Sequence, residues 1–202
     1  MKLLHIDTSI LGDQSVSRQL TAAIVQRLTV VHPDAEVVHN DLAAEPAGHL
    51  SAAEFLAFQG VQPQDEAAQR LAARNAQWLD QFLAADVVVV GAPMYNFSLP
   101  TQLKSWLDRL AVANKTFGYG ENGVRGLAGG RRVIVASSRG GLYGEGAPGA
   151  FLDHQETYLR GFFGFIGIDD VRFIRAEGVS MAPTQRDAAI AAALAEVEQL
   201  AA

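Results

Sequence analysis

Three segments of this 202-residue chain carry residue types that could together hold one small ligand. The first runs from Ser9 through Ser15-Val16-Ser17, after a short apolar run and at the point where helical spacing begins. Hydroxyls beside the free N–H groups and the positive dipole end of a helix make an anion site. Ser15 alone would read as a helix cap, but three serines favour a phosphate. No Gly-Lys-Ser/Thr follows and Gly12 stands alone, so this is neither a Walker loop nor a dinucleotide fingerprint, and a monophosphate is expected.

The second segment, Ala92-Pro93-Met94-Tyr95-Asn96-Phe97-Ser98, directly follows the run Val87 to Val90. Met94, Tyr95 and Phe97 offer stacking area and Asn96 an amide, a set that suits a flat heteroaromatic ring. The alternative is a loop whose aromatics fold back on the core. The third segment is Ser137-Ser138-Arg139-Gly140-Gly141, continuing to Gly146. Adjacent glycines let backbone N–H groups approach a ligand and face ring carbonyl oxygens, unless the loop only turns. Ala136 to Gly140 also comes near a nucleophile elbow, with His154 downstream, but an elbow needs a helix at once and this segment runs into glycines and Pro148.

Other chemistry is poorly supplied. Cysteine is absent and the five histidines are scattered, so no metal site is expected. His5 reads as a packed core histidine. Tyr119 either pins a long connection or reaches a neighbouring site.

The elements that must position these segments follow from periodicity. Strands are expected at Lys2–Ile6, Glu36–His39, Asp86–Gly91, Arg132–Ala136 and Val171–Arg175. Four successive valines suit a strand buried on both faces of a parallel sheet. Helical spacing spans Ser15–Val31, Gln64–Ala84, the stretch after Pro100, and Thr157–Ile168, and Thr184 is expected to cap a last helix ending at Leu200. Ser51-Ala52-Ala53-Glu54 has the form of a capping box. Regular strand–helix alternation over one 1–202 domain predicts an α/β doubly wound five-stranded parallel sheet, whose ligand lies outside the carboxyl ends of the strands.

A formal net charge of −6, with no cationic cluster longer than Arg131-Arg132, argues against nucleic-acid binding. The N-terminal apolar run is broken by His5 and Asp7, short of a signal core or a membrane span, so a cytoplasmic protein with no membrane contact is expected.

With the three segments assembled, the sequence resembles the FMN-dependent NAD(P)H azoreductases, also described as FMN-dependent NADH:quinone oxidoreductases. The resemblance runs end to end. It is carried by Ser9 with Ser15-Val16-Ser17, Ala92 to Phe97, Thr101-Gln102-Leu103-Lys104, Thr116-Phe117 with Tyr119 and Glu121-Asn122-Gly123, Ser138 to Gly141, and Gly164-Phe165-Ile166-Gly167. It implies a flavodoxin-like fold with strand order 2-1-3-4-5, a homodimer, and one non-covalent FMN per subunit near the subunit interface. Ser9, Ser15, Val16 and Ser17 would bind the FMN phosphate, Met94, Tyr95, Asn96 and Phe97 the ring and ribityl chain, and Ser138, Arg139, Gly140 and Gly141 the polar edge of the ring. Separately, Gly161 to Gly167 packs three aromatics and an Ile into seven residues, so Phe162 or Phe163, with Tyr119, is expected to reach the partner's site, the alternative being that these aromatics all lie in their own subunit's core. The implied reaction is ping-pong transfer of two electrons from NADH or NADPH to quinones and azo compounds, with a detoxifying sense. Tyr143 stands where some members of the family carry His, so protons would come from solvent. A flavodoxin-like electron carrier, or a flavin-binding regulatory module, would share the fold without turnover.

Overall fold

The computed structural model describes residues 1–121 and 123–200. Five parallel strands form the central sheet: β1 (Lys2–Asp7), β2 (Glu36–Asp41), β3 (Val87–Pro93), β6 (Arg132–Arg139) and β7 (Val171–Glu177). Their order is β2-β1-β3-β6-β7, which is the expected 2-1-3-4-5 winding of a flavodoxin-like fold. A two-stranded antiparallel hairpin, β4 (Phe117–Gly120) and β5 (Gly123–Gly126), stands outside it. Asn122, one of the expected family markers, lies outside the described residues, as do positions 201–202.

The valine run is central because every residue of β3 is buried. One apolar layer joins Leu4, Ile6, Val88 and Val90 to Phe82 of α3 (Glu66–Ala84), Trp106 of α4 (Thr101–Leu110) and Phe163 of α5 (Glu156–Phe165). The opposite layer joins Leu3, Val89 and Ile134 to Leu20 and Ile24 of α1 (Val16–Val31) and Val197 of α6 (Pro183–Glu198). Alternate residues of each strand thus serve opposite layers, as the pleat requires.

The short helix α2 (Ala52–Phe58) opens with the expected capping box between Ser51 and Glu54. Glu54 is also the anchor of a buried cluster: its Oε1 accepts from Arg109 Nη2 at 2.7 Å and from Asn75 Nδ2 at 3.0 Å. Burial drives this carboxyl upward, but the bonds from Asn75, Ser51 and Arg109 outweigh it and hold Glu54 below the usual carboxylate range. A depressed native pKa stabilises the fold above the unfolded value of about 4.3, and that stability is lost as pH falls through the native value. Thermal melts should therefore decline below about pH 4, and Glu54→Gln should flatten the decline. Parallel pH profiles for the two proteins would contradict this.

Several local expectations need correction. Phe117–Gly120 and Gly123–Gly126 pair as a hairpin, not an irregular connection; their four glycines hide the strand pattern. Thr184 does not cap α6: the cap position is Ala182, without a side-chain bond, and Pro183 opens the helix. Proline suits that place because its missing N–H would have no partner there anyway. The fourth helical stretch ends at Phe165 rather than Ile168, and Gly167 follows with φ of +90°. Strands β3 and β6 run on to Pro93 and Arg139, so Ser138 and Arg139 belong to the sheet. No helix follows Ser137 or Ser138 directly, so the elbow reading has no structural support.

Candidate cofactor site

The loops after β1, β3 and β6 meet at the carboxyl edge of the sheet, and specific bonds stitch them together. Ser9 Oγ lies 3.1 Å from Tyr95 Oη, and the Ile10 N–H reaches the same hydroxyl at 3.3 Å. Met94 N–H donates to the Ser138 carbonyl at 2.8 Å. Phe97 meets Tyr143 edge to face, with ring centroids 6.0 Å apart. Thr8 Oγ1 donates to the Gly91 carbonyl and Gln155 Nε2 to the Ala92 carbonyl, so the frame beneath the loops is also cross-linked.

At the first loop, Ser15 is the N-cap of α1 and accepts from Arg18 N–H at 3.2 Å, while its Oγ lies 3.0 Å from Ser17 Oγ. Capping and anion binding are compatible here: the N–H groups of Val16 and Ser17 are in the first turn and have no intrahelical acceptor. Val16 is buried, so it contributes backbone only. Arg18 closes the loop from outside, forking onto both oxygens of Asp41 at 2.7 and 2.8 Å and donating to the Ser9 carbonyl. The Arg18 guanidinium holds the Asp41 carboxyl below its ordinary range.

The second loop is a tight turn. Tyr95 and Ser98 exchange two backbone bonds of 3.1 Å, and both central residues are left-handed, Asn96 at φ +47° and Phe97 at φ +69°. Two positive φ values define the I′ type, which favours Asn and Gly. A phenylalanine in that position is strained, and such strain persists only where surrounding structure enforces it. The Phe97 carbonyl is held by His154 N–H at 3.1 Å.

At the third loop the carbonyls of Arg139, Gly140 and Gly141 accept from the N–H groups of Val179, Ser180 and Gly178. That fixes the peptide planes. A Cβ on Gly140 would lie 3.1 Å from Ser180 Oγ, and one on Gly141 3.0 Å from Tyr143 Oη, so both positions are crowded. Arg139 departs from its expected ligand role. Its side chain is 1% exposed and turns into the protein, pairing with Asp153, Glu156 and Glu177 at 2.9, 2.6 and 3.0 Å. A guanidinium with this many acceptors is committed to the fold; only the Arg139 backbone borders the loop. Glu177 in turn accepts from the Tyr143 N–H at 3.0 Å, which ties the arginine to the loop beyond the glycines.

Tyr119 and Phe162 are not joined to these loops by the contacts they make. Tyr119 is 78% exposed on the hairpin and meets Phe117. Phe162 is half-buried on α5 between Tyr158 and Phe163, and Phe163 is wholly core. The hairpin's base is fastened at Gly126 against Gly167, in the connection leading to the amino end of β7.

One cluster escaped sequence reasoning. In the parallel register of β1 and β2, His5 pairs with His39 and Asp7 with Asp41, which puts all four on one sheet face under the first loop. The imidazoles stack with centroids 4.3 Å apart. Only the strand register, set by residues 34 apart, could have revealed this. Burial pushes the Asp7 carboxyl up, but the close His5 imidazole, with bonds from Thr21 and His39, leaves it below its usual value.

A family model described as the flavodoxin-like fold matches residues 1–201. A protein of Methylocella silvestris named FMN-dependent NADH:quinone oxidoreductase is 59% identical over 191 residues, 94% of each chain. The chain belongs to this oxidoreductase family. A second FMN-dependent NADH:quinone oxidoreductase, from Bradyrhizobium diazoefficiens, is 57% identical over 96% of each chain. Among solved structures, an azoreductase from Bacillus anthracis superposes with a TM-score of 0.88 at 30% identity, covering 98% of this chain and 97% of that one. An FMN-dependent NADH-azoreductase of the same species, solved in complex with FMN, gives 0.87 at 26% identity, over 98% and 95%. Like these FMN-dependent oxidoreductases and azoreductases, the present family member is an enzyme. Among its described residues no helix is long and apolar enough to cross a membrane.

Proposed function

We propose that the chain binds one FMN per subunit non-covalently and uses it to carry two electrons from NADH or NADPH to quinones and aromatic azo compounds. The observation that carries this reading is the stitching of three loops, each suited to a different part of that cofactor, through Ser9–Tyr95, Met94–Ser138 and Phe97–Tyr143. The residues present fit the group: unpartnered N–H donors at the start of α1 for a phosphate, an enforced left-handed turn beside Met94 for a ring and its ribityl chain, and a glycine pair with fixed peptide planes for a polar ring edge. When bound, FMN would supply hydride chemistry, taking two electrons from nicotinamide and giving them to an acceptor that replaces it, hence ping-pong kinetics.

The chain's own share is binding and orientation. Ser15, Ser17 and the first-turn N–H groups would hold the phosphate. The cradle closes on one helix N-terminus, which suits the single phosphate of FMN rather than the adenylate-bearing diphosphate of FAD. The Gly140 and Gly141 region offers backbone donors to negative charge developing on the ring. Arg18 and Arg139 act from behind, the one holding the Ser9 carbonyl and the other Glu177.

A homodimer with shared sites belongs to the same reading. Ile10, Leu11, Phe97, Leu142 and Phe151 are exposed apolar residues on the three loops, more than an isolated soluble edge usually presents. Tyr119, exposed on the hairpin and not joined to its own three loops, would serve a partner's loops. Phe162 would join it there. The setting is cytoplasmic, in one domain spanning 1–202, and two-electron reduction gives the activity a detoxifying sense.

Purified protein should be yellow, release FMN on denaturation, and oxidise NADH steadily once a quinone is added. Release of FAD, or a flavoprotein that turns over only with a separate reductase, would overturn the reading. Light scattering at micromolar concentration should report a dimer; a fully active monomer refutes shared sites. Replacing Ser17 by Ala should weaken FMN binding by about 1–3 kcal/mol, the scale of a charge-assisted hydrogen bond. The same change at Ser15 should cost, in addition, about 1 kcal/mol of fold stability through the lost cap. Titration of the flavin-free protein with FMN, beside thermal melts, separates the two effects.

A further inference from the structure

We propose that His5, Asp7 and His39 form a binding site for a divalent cation of the zinc class beneath the loop that follows β1. Asp7 Oδ2 lies 3.3 Å from His5 Nε2 and 3.1 Å from His39 Nε2, and the three donor atoms all fall within 4.8 Å of one another. Zinc bonds to imidazole nitrogen and carboxylate oxygen are about 2.0–2.2 Å, so two donors on a tetrahedral ion stand about 3.3 Å apart. Both histidine–aspartate separations match that edge without any rearrangement of the strands.

The local chemistry favours a cation over a proton. Two imidazole nitrogens are directed at one carboxylate oxygen, and His5 Nε2 is buried without an aligned hydrogen bond. Protonating both rings would stack two positive charges at 4.3 Å. A single divalent ion gives both nitrogens and the carboxylate a shared partner. Charge agrees: Asp7 and Asp41 contribute two negative charges, and the cation that nears Asp7 among the described residues, Arg18, is 3.6 Å from Oδ2 but forked onto Asp41 and the Ser9 carbonyl.

The surroundings already hold the carboxylate as a ligating carboxylate is usually held. Thr21 Oγ1 donates to Asp7 Oδ1 at 2.8 Å, leaving Oδ2 for the ion, and hydrogen bonding of this kind orients metal ligands. Gly91 makes room for it, since a Cβ there would lie 3.1 Å from Oδ1. His39 has a side chain 47% exposed, so the ion has an entry path and a position left for water, as in three-ligand zinc sites. Two histidines and one carboxylate suit zinc and its neighbours better than the oxygen-seeking magnesium or calcium. Because Asp7 leads directly into Thr8 and Ser9, an ion here would brace the first loop from below.

The test uses the purified full chain, stripped with chelator and titrated with Co²⁺. An intense ligand-field band to the red of any flavin absorption, saturating at one ion per chain and abolished by Zn²⁺, is expected. His39→Ala, a change at a half-exposed position that should fold normally, should lower Co²⁺ affinity by more than tenfold, since even indirect partners of a metal site cost 10–100-fold. His5→Gln should do the same, and Zn²⁺ should raise the Tm of the parent chain but of neither variant. Absence of the band at excess Co²⁺, or a band that persists in both variants, overturns the site.

Discussion

Arg139→Met should lower the stability of the fold by about 3–5 kcal/mol, the cost of removing one partner from a buried ion pair. The guanidinium it removes is the shared partner of Asp153, Glu156 and Glu177. Glu156 keeps Arg175, which forks onto it at 2.6 and 2.7 Å, but Glu177 loses its guanidinium and keeps the neutral Tyr143 N–H. For a chain of this length the loss corresponds to a fall in Tm of roughly 10 °C. Affinity for FMN should fall with it, because the third loop loses its anchor. Arg139→Lys should recover part of the stability and little of the geometry, since an ammonium cannot reproduce the planar fork. Arg109→Met is the control. It breaks the equally buried pair of Arg109 with Glu54; the other partners of Arg109, Asn75 and the Ala47 carbonyl, lie outside the three loops, so the change should cost comparable stability while flavin affinity in the folded protein is unchanged. Equal loss of flavin affinity in both variants would remove Arg139 from its positioning role.

Gly126→Ala should have a large effect of a different kind. A Cβ at 126 would overlap the Gly167 nitrogen and Cα, a collision with backbone that no rotamer relieves. The hairpin and the connection after α5 must separate, which also strains the bond from Ala128 N–H to the Ile166 carbonyl. The cost should exceed the roughly 1–3 kcal/mol usual for overpacking. The three loops lie elsewhere, so flavin should still bind. Displacing Tyr119 by an ångström or more should lower kcat/KM for quinones on the order of 100-fold. Flavin titration and steady-state kinetics on the same preparation decide it: normal quinone kinetics would show that the hairpin takes no part in acceptor binding.

Much of this was legible in the residues. The run Val87 to Val90 suited a buried strand, and the alternation of strands and helices gave a doubly wound parallel sheet, while its winding order came from the family resemblance. The serines and the Met94–Phe97 segment were singled out because loops at carboxyl ends are where such sheets bind ligands, and the fold does bring those loops together. What escaped depended on contacts distant in sequence. Arg139 looked like a loop cation because nothing near it in sequence announces Glu177, 38 residues on. His5 and His39 looked scattered because only register makes them neighbours. The hairpin was hidden by glycines whose purpose, at Gly126, is close approach to a second backbone rather than turning. Thr184 looked like a cap because hydroxyls often are one, yet the proline before it had already set the start of the helix.

The turn at Asn96 and Phe97 has a consequence for anyone who would engineer this enzyme. Two left-handed residues, one of them aromatic, hold a conformation that glycine would adopt with less strain, by about 1–3 kcal/mol for such positions. A screen for heat resistance run on flavin-free protein would reward Phe97→Gly and flag the parent residue as a defect. The same substitution would delete a ring that closes the second loop against Tyr143. Selection for robustness alone would therefore drift away from the binding surface, and a useful screen must be run with the cofactor present, where a preformed loop is an advantage rather than a burden.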